Sequence, residues 1–269
     1  MSRTYLITGA SSGIGAQFAR SYARRGLNLI LVARRLDRLE ALAAELTAAH
    51  GITVICLDAD LSDRAQVNGL LARIKEMNLR PDGLINNAGY SLAHTFAATT
   101  AKQQLDFIEV CVTTPTLLAR ELLDHMLAQG FGRIINVSSM VAFSPGASGH
   151  TLYPAAKSYM LKFSRSLAAE VGNTGIHVTA LCPGSTESEF QHSNGMDAVL
   201  KTHPARFVQT AEAVVEAAIR ANQAGREVIV TGLFNKIAVA AMTLLPDGLI
   251  TPLIRWGAKK YHLDDKTNA

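Results

Sequence analysis

Cysteine is scarce in this chain. Cys56, Cys111 and Cys182 are the only three among 269 residues, and no two form a C-x-x-C. Their spacing excludes a disulfide framework and a zinc site, and it suits a reducing, cytoplasmic setting. The eight histidines fall at no metal-ligand spacing. Long apolar runs are also missing. The greasiest stretch, IAVAAMTLLPDGLITPLI (237–254), is cut by Pro246-Asp247-Gly248 and Pro252, short of the ~20 residues that span a bilayer. The opening MSRTYLITGA lacks the apolar core of a signal peptide. Charge of one sign is thin: the net is +4, and Arg24-Arg25, Arg34-Arg35 and Lys259-Lys260 are the only basic doublets. That gives no nucleic-acid footprint and leaves anionic small molecules as partners.

What is present is apolar material in short pieces. Hydrophobic residues make up 48% and charged residues 18%, a balance that folds rather than stays disordered. Runs at 4–8, 27–32, 52–58, 83–87, 132–139, 175–182 and 227–230 read as strands. Helical patterns lie between them at 14–26, 36–51, 63–77, 101–129, 154–171 and 210–224. Strands of Val, Ile and Leu without alternation, each followed by a helix, predict a parallel sheet covered on both faces. No Ser/Gly/Pro linker and no internal repeat divides the chain. One α/β domain over 1–232 is expected, with a C-terminal extension over 233–269.

Three local patterns carry chemistry. The first strand runs into TGASSGIG, with Gly9, Gly13 and Gly15. Glycine there lets backbone approach a pyrophosphate while the next helix points its N–H groups at the anion. At the end of the second strand, where an acid would bond the ribose hydroxyls of NAD, stands Ala33, followed by Arg34 and Arg35. Two guanidiniums attract the 2′-phosphate that distinguishes NADP, so NADPH is expected. In YPAAK, Tyr153 and Lys157 lie four apart at a helix start marked by Pro154. A cation held beside a phenol favours the phenolate, and the expectation is a tyrosine with a lowered pKa.

Taken together, TGASSGIG (8–15), NNAG (86–89), NVSS (136–139), YPAAK (153–157) and PGSTES (183–188) resemble the short-chain dehydrogenase/reductase family, in that family's order. The resemblance implies a Rossmann-type, doubly wound sheet of about seven parallel strands and an NADP(H)-dependent oxidoreductase. Its substrate would be a small carbonyl compound (ketone, aldehyde or 3-oxoacyl group) or the matching alcohol. It implies Tyr153 as general acid, Lys157 as ribose holder and tuner of Tyr153, and Ser139 as the group that orients the carbonyl. It further implies cofactor contacts from Gly9, Ser11, Ser12, Gly13, Ile14 and Gly15 in the loop, then Arg34, Arg35, Asp60 and Leu61. Asn87, Ala88 and Gly89 would line the ribose side, and Pro183, Gly184, Thr186 and Ser188 the nicotinamide side. No metal is implied.

The chain departs from the family pattern in two places. Cys111 stands where the family has an asparagine thought to hold a water in the proton relay. Thirteen residues separate Ser139 from Tyr153 where twelve are common; Ser139 is assigned over Ser138 on this count. Cys111 also keeps open a second reading, an NADP(H)-binding sensor or scaffold with little turnover. The tail supports a third, a reductase of lipid-like ketones at a membrane surface, through its apolar residues, Trp256 and Lys259-Lys260. The tail is expected instead to bury its apolar face on protein, across a contact in a homodimer or homotetramer. The segment 185–207 is expected to meet the substrate.

Overall fold

The computed structural model describes residues 2–92, 94–146, 151–187 and 208–260. Seven parallel strands form one sheet: β1 (Thr4–Thr8), β2 (Asn28–Ala33), β3 (Val54–Asp58), β4 (Gly83–Asn86), β5 (Gly132–Val137), β6 (Ile176–Cys182) and β7 (Val228–Val230). Their spatial order is β3-β2-β1-β4-β5-β6-β7. This is the doubly wound Rossmann topology: the chain winds outward from β1 in one direction, then from β4 in the other. Ligands in such sheets bind at the strand C-termini where the winding reverses, here between β1 and β4.

The helices among the described residues are α1 (Gly13–Ala23), α2 (Leu36–His50), α3 (Arg64–Glu76), α4 (Ala101–Ile108), α5 (Thr114–Gln129), α6 (Leu152–Val171), α7 (Ala211–Gln223), α8 (Leu233–Leu244) and α9 (Asp247–Lys260). Strand side chains alternate between two apolar layers. Ile7, Leu29, Leu31, Ile85 and Ile135 pack under α1, α2 and α7 against Phe18, Leu39, Val215 and Ile219. Leu6, Ile30, Val32, Leu84 and Ile134 pack on the other face against Val67, Phe107, Leu118, Met126 and Leu167. Both faces are dry, which explains why the strands read as unbroken apolar runs.

The pattern over 101–129 predicts one long helix. The chain instead forms α4, a single π-helical turn over Glu109–Thr113, and α5. Pro115, near the start of α5, has no N–H to give to a continuous ladder. The expected strand 132–139 stops at Val137, and Ser139 caps a short 3₁₀ turn, Met140–Phe143. The helix assigned to start at Pro154 begins two residues earlier, at Leu152.

In the tail, α8 and α9 bury Asn235, Val239 and Ile250, while Leu233, Phe234, Ile237, Leu244, Leu245 and Leu249 stay exposed on the single chain. No helix among the described residues is long and apolar enough to cross a membrane.

A polar row runs through the second layer. Asn86 Nδ2 donates to Asn136 Oδ1 at 2.9 Å, and Asn136 Nδ2 donates to Ser164 Oγ at 2.9 Å. Asn136 is fully buried, so truncating it strands a donor on one neighbour and an acceptor on the other. Each such group costs about 1–3 kcal/mol. Asn136→Ala should lower unfolding free energy by roughly 2–4 kcal/mol in a urea titration, with the m-value unchanged.

Candidate active site

The glycine loop follows β1. Gly9 sits at φ +64° and Gly13 at φ +54°, conformations that side chains rarely adopt. A Cβ on Gly9 would fall 2.8 Å from Asn87 Nδ2 and 2.9 Å from Ala88 Cα, and one on Gly15 would strike the Gly9 carbonyl. Ile14 packs against the first apolar layer and seats the helix start. Ser12 makes no side-chain capping bond and the first turn of α1 holds no acidic residue, so that turn offers its N–H groups and positive dipole end to an anion. The cradle fits a pyrophosphate.

Arg34 and Arg35 leave the end of β2 in different directions. Arg35 Nη2 donates to Ser11 Oγ at 3.2 Å and Ser12 Oγ at 3.4 Å, laying its charge along the glycine loop. Arg34 is largely exposed, with Nη1 3.9 Å from Asp60 Oδ2. Asp60 also accepts from Ser62 N–H at 3.0 Å and Ser62 Oγ at 2.7 Å. Buried Leu61 completes this rim, its carbonyl taken by Thr114 Oγ1 at 3.1 Å.

The far wall of the crevice is Asn87-Ala88-Gly89. Thr8 Oγ1 accepts from the N–H groups of both Asn87 and Ala88 at 3.0 Å, and Asn87 Nδ2 donates to the carbonyls of Thr8 at 3.0 Å and Gly9 at 3.2 Å. The Asn87 amide thus ties β4 to β1. Gly89 leaves room for deeper groups: a Cβ there would lie 3.6 Å from both Lys157 Nζ and Cys111 Sγ.

Those two belong to a cluster with Ser139 and Tyr153. The Ser139 hydroxyl lies beside the Tyr153 phenol and favours its ionised form, while Ser138 Oγ donates to the Lys157 carbonyl at 2.7 Å. Lys157 is buried; its Nζ donates to Val137 O at 2.9 Å and lies 5.6 Å from the Tyr153 ring centroid. Burial pushes the Lys157 ammonium below its ordinary value. Burial also pushes Tyr153 up to about 12, against the opposing influence of the Ser139 hydroxyl.

The expected lowering of the phenol is therefore reversed in the free protein. The cation faces the ring and a carbonyl, and desolvation of the phenolate dominates. Cys111 sits in the π-helical turn and has its thiol pushed up by burial, with the Lys157 ammonium and the Tyr90 backbone opposing. A small cavity, large enough for one water, is lined by Thr8, Asn86, Cys111, Thr114 and Lys157 among others. Asn86 Oδ1 has no protein partner.

On the remaining side, Pro183 O accepts from Met140 N–H at 2.9 Å. Thr186 is buried, and its Oγ1 donates to Gly184 O at 3.2 Å. Ser188, most of the segment 185–207, and the side chains of Trp256, Lys259 and Lys260 lie outside the described residues.

Sequence reasoning missed Thr8, Asn136, Gln209 and Asn235. Asn136 left a signal, an amide inside the apolar run RIINV. Thr8 left a weaker one as the hydroxyl closing TYLIT.

The chain as a whole is similar to known proteins. The family model "short chain dehydrogenase" matches residues 3–198. The chain belongs to that family. This short-chain dehydrogenase, an oxidoreductase by that membership, is 35% identical over 191 residues to "Oxidoreductase UcpA" of Salmonella typhimurium, covering 71% of this chain and 72% of the relative. Among solved structures, a short-chain dehydrogenase from Sphingobium yanoikuyae in complex with NADPH superposes with a TM-score of 0.80 at 34% identity, over 99% of this chain and 98% of that one. A bulky-bulky ketone specific alcohol dehydrogenase from Comamonas testosteroni gives 0.75 at 30% identity, over 99% and 97%.

Proposed function

We propose that this chain is an NADP(H)-dependent oxidoreductase that reduces a carbonyl to an alcohol, with Tyr153 as the general acid. The observation that carries this is the convergence of Ser139, Tyr153 and Lys157 beside a glycine cradle that a Cβ would fill. The glycine loop and the N-terminus of α1 would hold the pyrophosphate. Arg34 and Arg35 would hold the 2′-phosphate, and Asp60 and Leu61 would border the adenine. When bound, the cofactor supplies the hydride.

The chain's own residues do the rest. Ser139 donates to the carbonyl oxygen and fixes its direction. Tyr153 passes its phenolic proton to that oxygen as the alkoxide forms. Lys157 holds the ribose hydroxyls and stabilises the phenolate left behind. A raised pKa keeps Tyr153 protonated in the free protein through neutral and mildly alkaline pH, the form that reduction needs. The reverse reaction needs the phenolate, so oxidation of the alcohol should gain rate as pH rises. The complex of the Sphingobium yanoikuyae relative with NADPH supports the cofactor.

The likeness to a bulky-bulky ketone specific enzyme, which covers 99% of this chain, supports ketones with two large substituents as the substrate class. The exposed apolar residues of α8 and α9 support a contact with a second copy; a monomer mass in solution would overturn that assignment.

Spectrophotometric assay of NADPH oxidation with bulky ketones tests the activity. Tyr153→Phe should abolish turnover and leave NADPH affinity within about twofold, since only the proton donor is lost. Retention of most of kcat would assign the proton to another group. Lys157→Ala should impair both binding and turnover. The unmodified protein should bind NADPH at least about tenfold more tightly than NADH, and Arg34→Ala should erase most of that gap, roughly 1.4 kcal/mol. Equal affinities in the unmodified protein would refute the cofactor assignment.

Cys111 has a separate test. A water in the cavity beside it would meet Asn86 Oδ1 and Lys157 Nζ, and a thiol is a weaker partner for it than an amide. Cys111→Asn should leave NADPH affinity unchanged and raise kcat by about two- to fivefold, most at high pH, where proton resupply limits reduction. Kinetics unchanged across pH would mean that the relay does not use this position.

A further inference from the structure

The tail reaches the nicotinamide side of the crevice through one buried amide. Asn235, the third residue of α8, is only 5% exposed. Its side chain lies flat against Gly184: a Cβ on that glycine would fall 2.6 Å from Asn235 Cγ. A side chain at position 184 would displace the amide. Asn235 Nδ2 donates to Thr231 O at 2.8 Å, which fixes the amide relative to the end of β7.

Gln209 secures the same segment from its other side. Its N–H donates to Ser185 O at 3.0 Å and its carbonyl accepts from Glu187 N–H at 2.9 Å, a one-residue parallel bridge opposite Thr186. With the Gln209 amide turned so that its nitrogen faces Thr231, it donates to Thr231 Oγ1 at 2.7 Å and Thr231 O at 3.1 Å and accepts from Gly232 N–H at 3.3 Å. Gly184, Thr186 and the start of the tail are thus joined through Thr231 and two amides. Pro183, the residue before Gly184, bonds the 3₁₀ turn that Ser139 caps.

We infer that Asn235 is a positioning residue for the nicotinamide end of the cofactor, and that the C-terminal extension is part of the active-site frame. The inference rests on the NADP(H) reading above. Asn235 lies outside the residues matched by the family model, 3–198, whereas the Sphingobium and Comamonas structures match essentially the whole chain. The amide acts through Gly184: it fixes the height of the Gly184–Thr186 backbone, and that backbone would receive the nicotinamide carboxamide. Loss of the amide lets the segment sag away from the ring while the phosphate cradle, on the far side of the sheet's switch point, stays intact.

The test compares two ligands on the full-length protein. NADPH engages both ends of the site, whereas adenosine 2′,5′-bisphosphate engages only the adenine and 2′-phosphate end. In Asn235→Ala, the NADPH dissociation constant should rise about tenfold and that for the bisphosphate should stay within twofold. Asn235→Ser, which keeps a small polar group that cannot span to Gly184, should behave likewise. Val239→Ala removes apolar packing from the same helix without touching Gly184. It should lower the melting temperature and leave the ratio of the two affinities unchanged. Equal weakening of both ligands in the Asn235 variants, or no weakening in a variant that melts cooperatively, would overturn the inference. A failure of the unmodified protein to bind the bisphosphate would instead overturn the NADP(H) reading, and the inference with it.

Discussion

The crevice depends on a single hydroxyl. Strands β1 and β4 are neighbours in the sheet, but the connections that leave them run to opposite faces, so their C-terminal ends would splay without a tie. Thr8 Oγ1 accepts from two successive backbone N–H groups across that gap and donates to Ile85 O at 3.3 Å. Asn87 returns the bond by donating to Thr8 O and Gly9 O. The Thr8 hydroxyl at the centre of the tie is buried, where an unmade hydrogen bond is costly. The glycine loop and the Asn87-Ala88-Gly89 wall are therefore held at one separation. That separation fixes the close approach at Gly9, where an added methyl would meet the same amide that makes the tie.

Beneath the reacting groups lies a second rigid layer. The row Asn86–Asn136–Ser164 crosses from β4 through β5 to α6, and Asn86 Nδ2 also donates to Pro115 O at 3.2 Å. Ser138 and Lys157 bond α6 to the end of β5 in both directions, hydroxyl to carbonyl and ammonium to carbonyl. The helix carrying Tyr153 is consequently fixed in height and rotation relative to Ser139, which lies two residues beyond the end of the strand. A buried lysine is expensive unless its charge is bonded. Here the strand-end carbonyl of Val137 meets part of that cost while aiming Nζ under the ring of Tyr153.

Much of this was legible in the sequence, for reasons that separate local from distant effects. The strands showed because both sheet faces are dry. The glycines showed because their conformations are set within a few residues. Arg34 and Arg35 showed because the end of β2 is fixed by the strand itself, although their divergence, one onto Ser11 and Ser12 and one toward Asp60, depends on rotamers. The break in 101–129 was hidden because a π-helical turn adds one residue without disturbing the apolar periodicity on either side. Asn235 was hidden for a different reason. Its partner Gly184 is 51 residues away (235 − 184), and nothing in LFNKIAV marks an amide that must lie on a distant glycine.

The acid itself shows where neighbour counting stops. Four-residue spacing does bring Tyr153 and Lys157 together, but proximity in sequence says nothing about solvent. Both groups are taken from water, and burial penalises the phenolate and the ammonium alike, raising one pKa and lowering the other. A free site with these shifts holds its proton on the tyrosine and resists giving it up. The remaining stabilisation of the phenolate has to come from charge that enters with the ligands or develops during the reaction. On the proposed reading, the frame around the cofactor site then matters as much as the acid. On this structure that frame includes the glycine loop from the first strand and, through Gly184, the helix that follows the last.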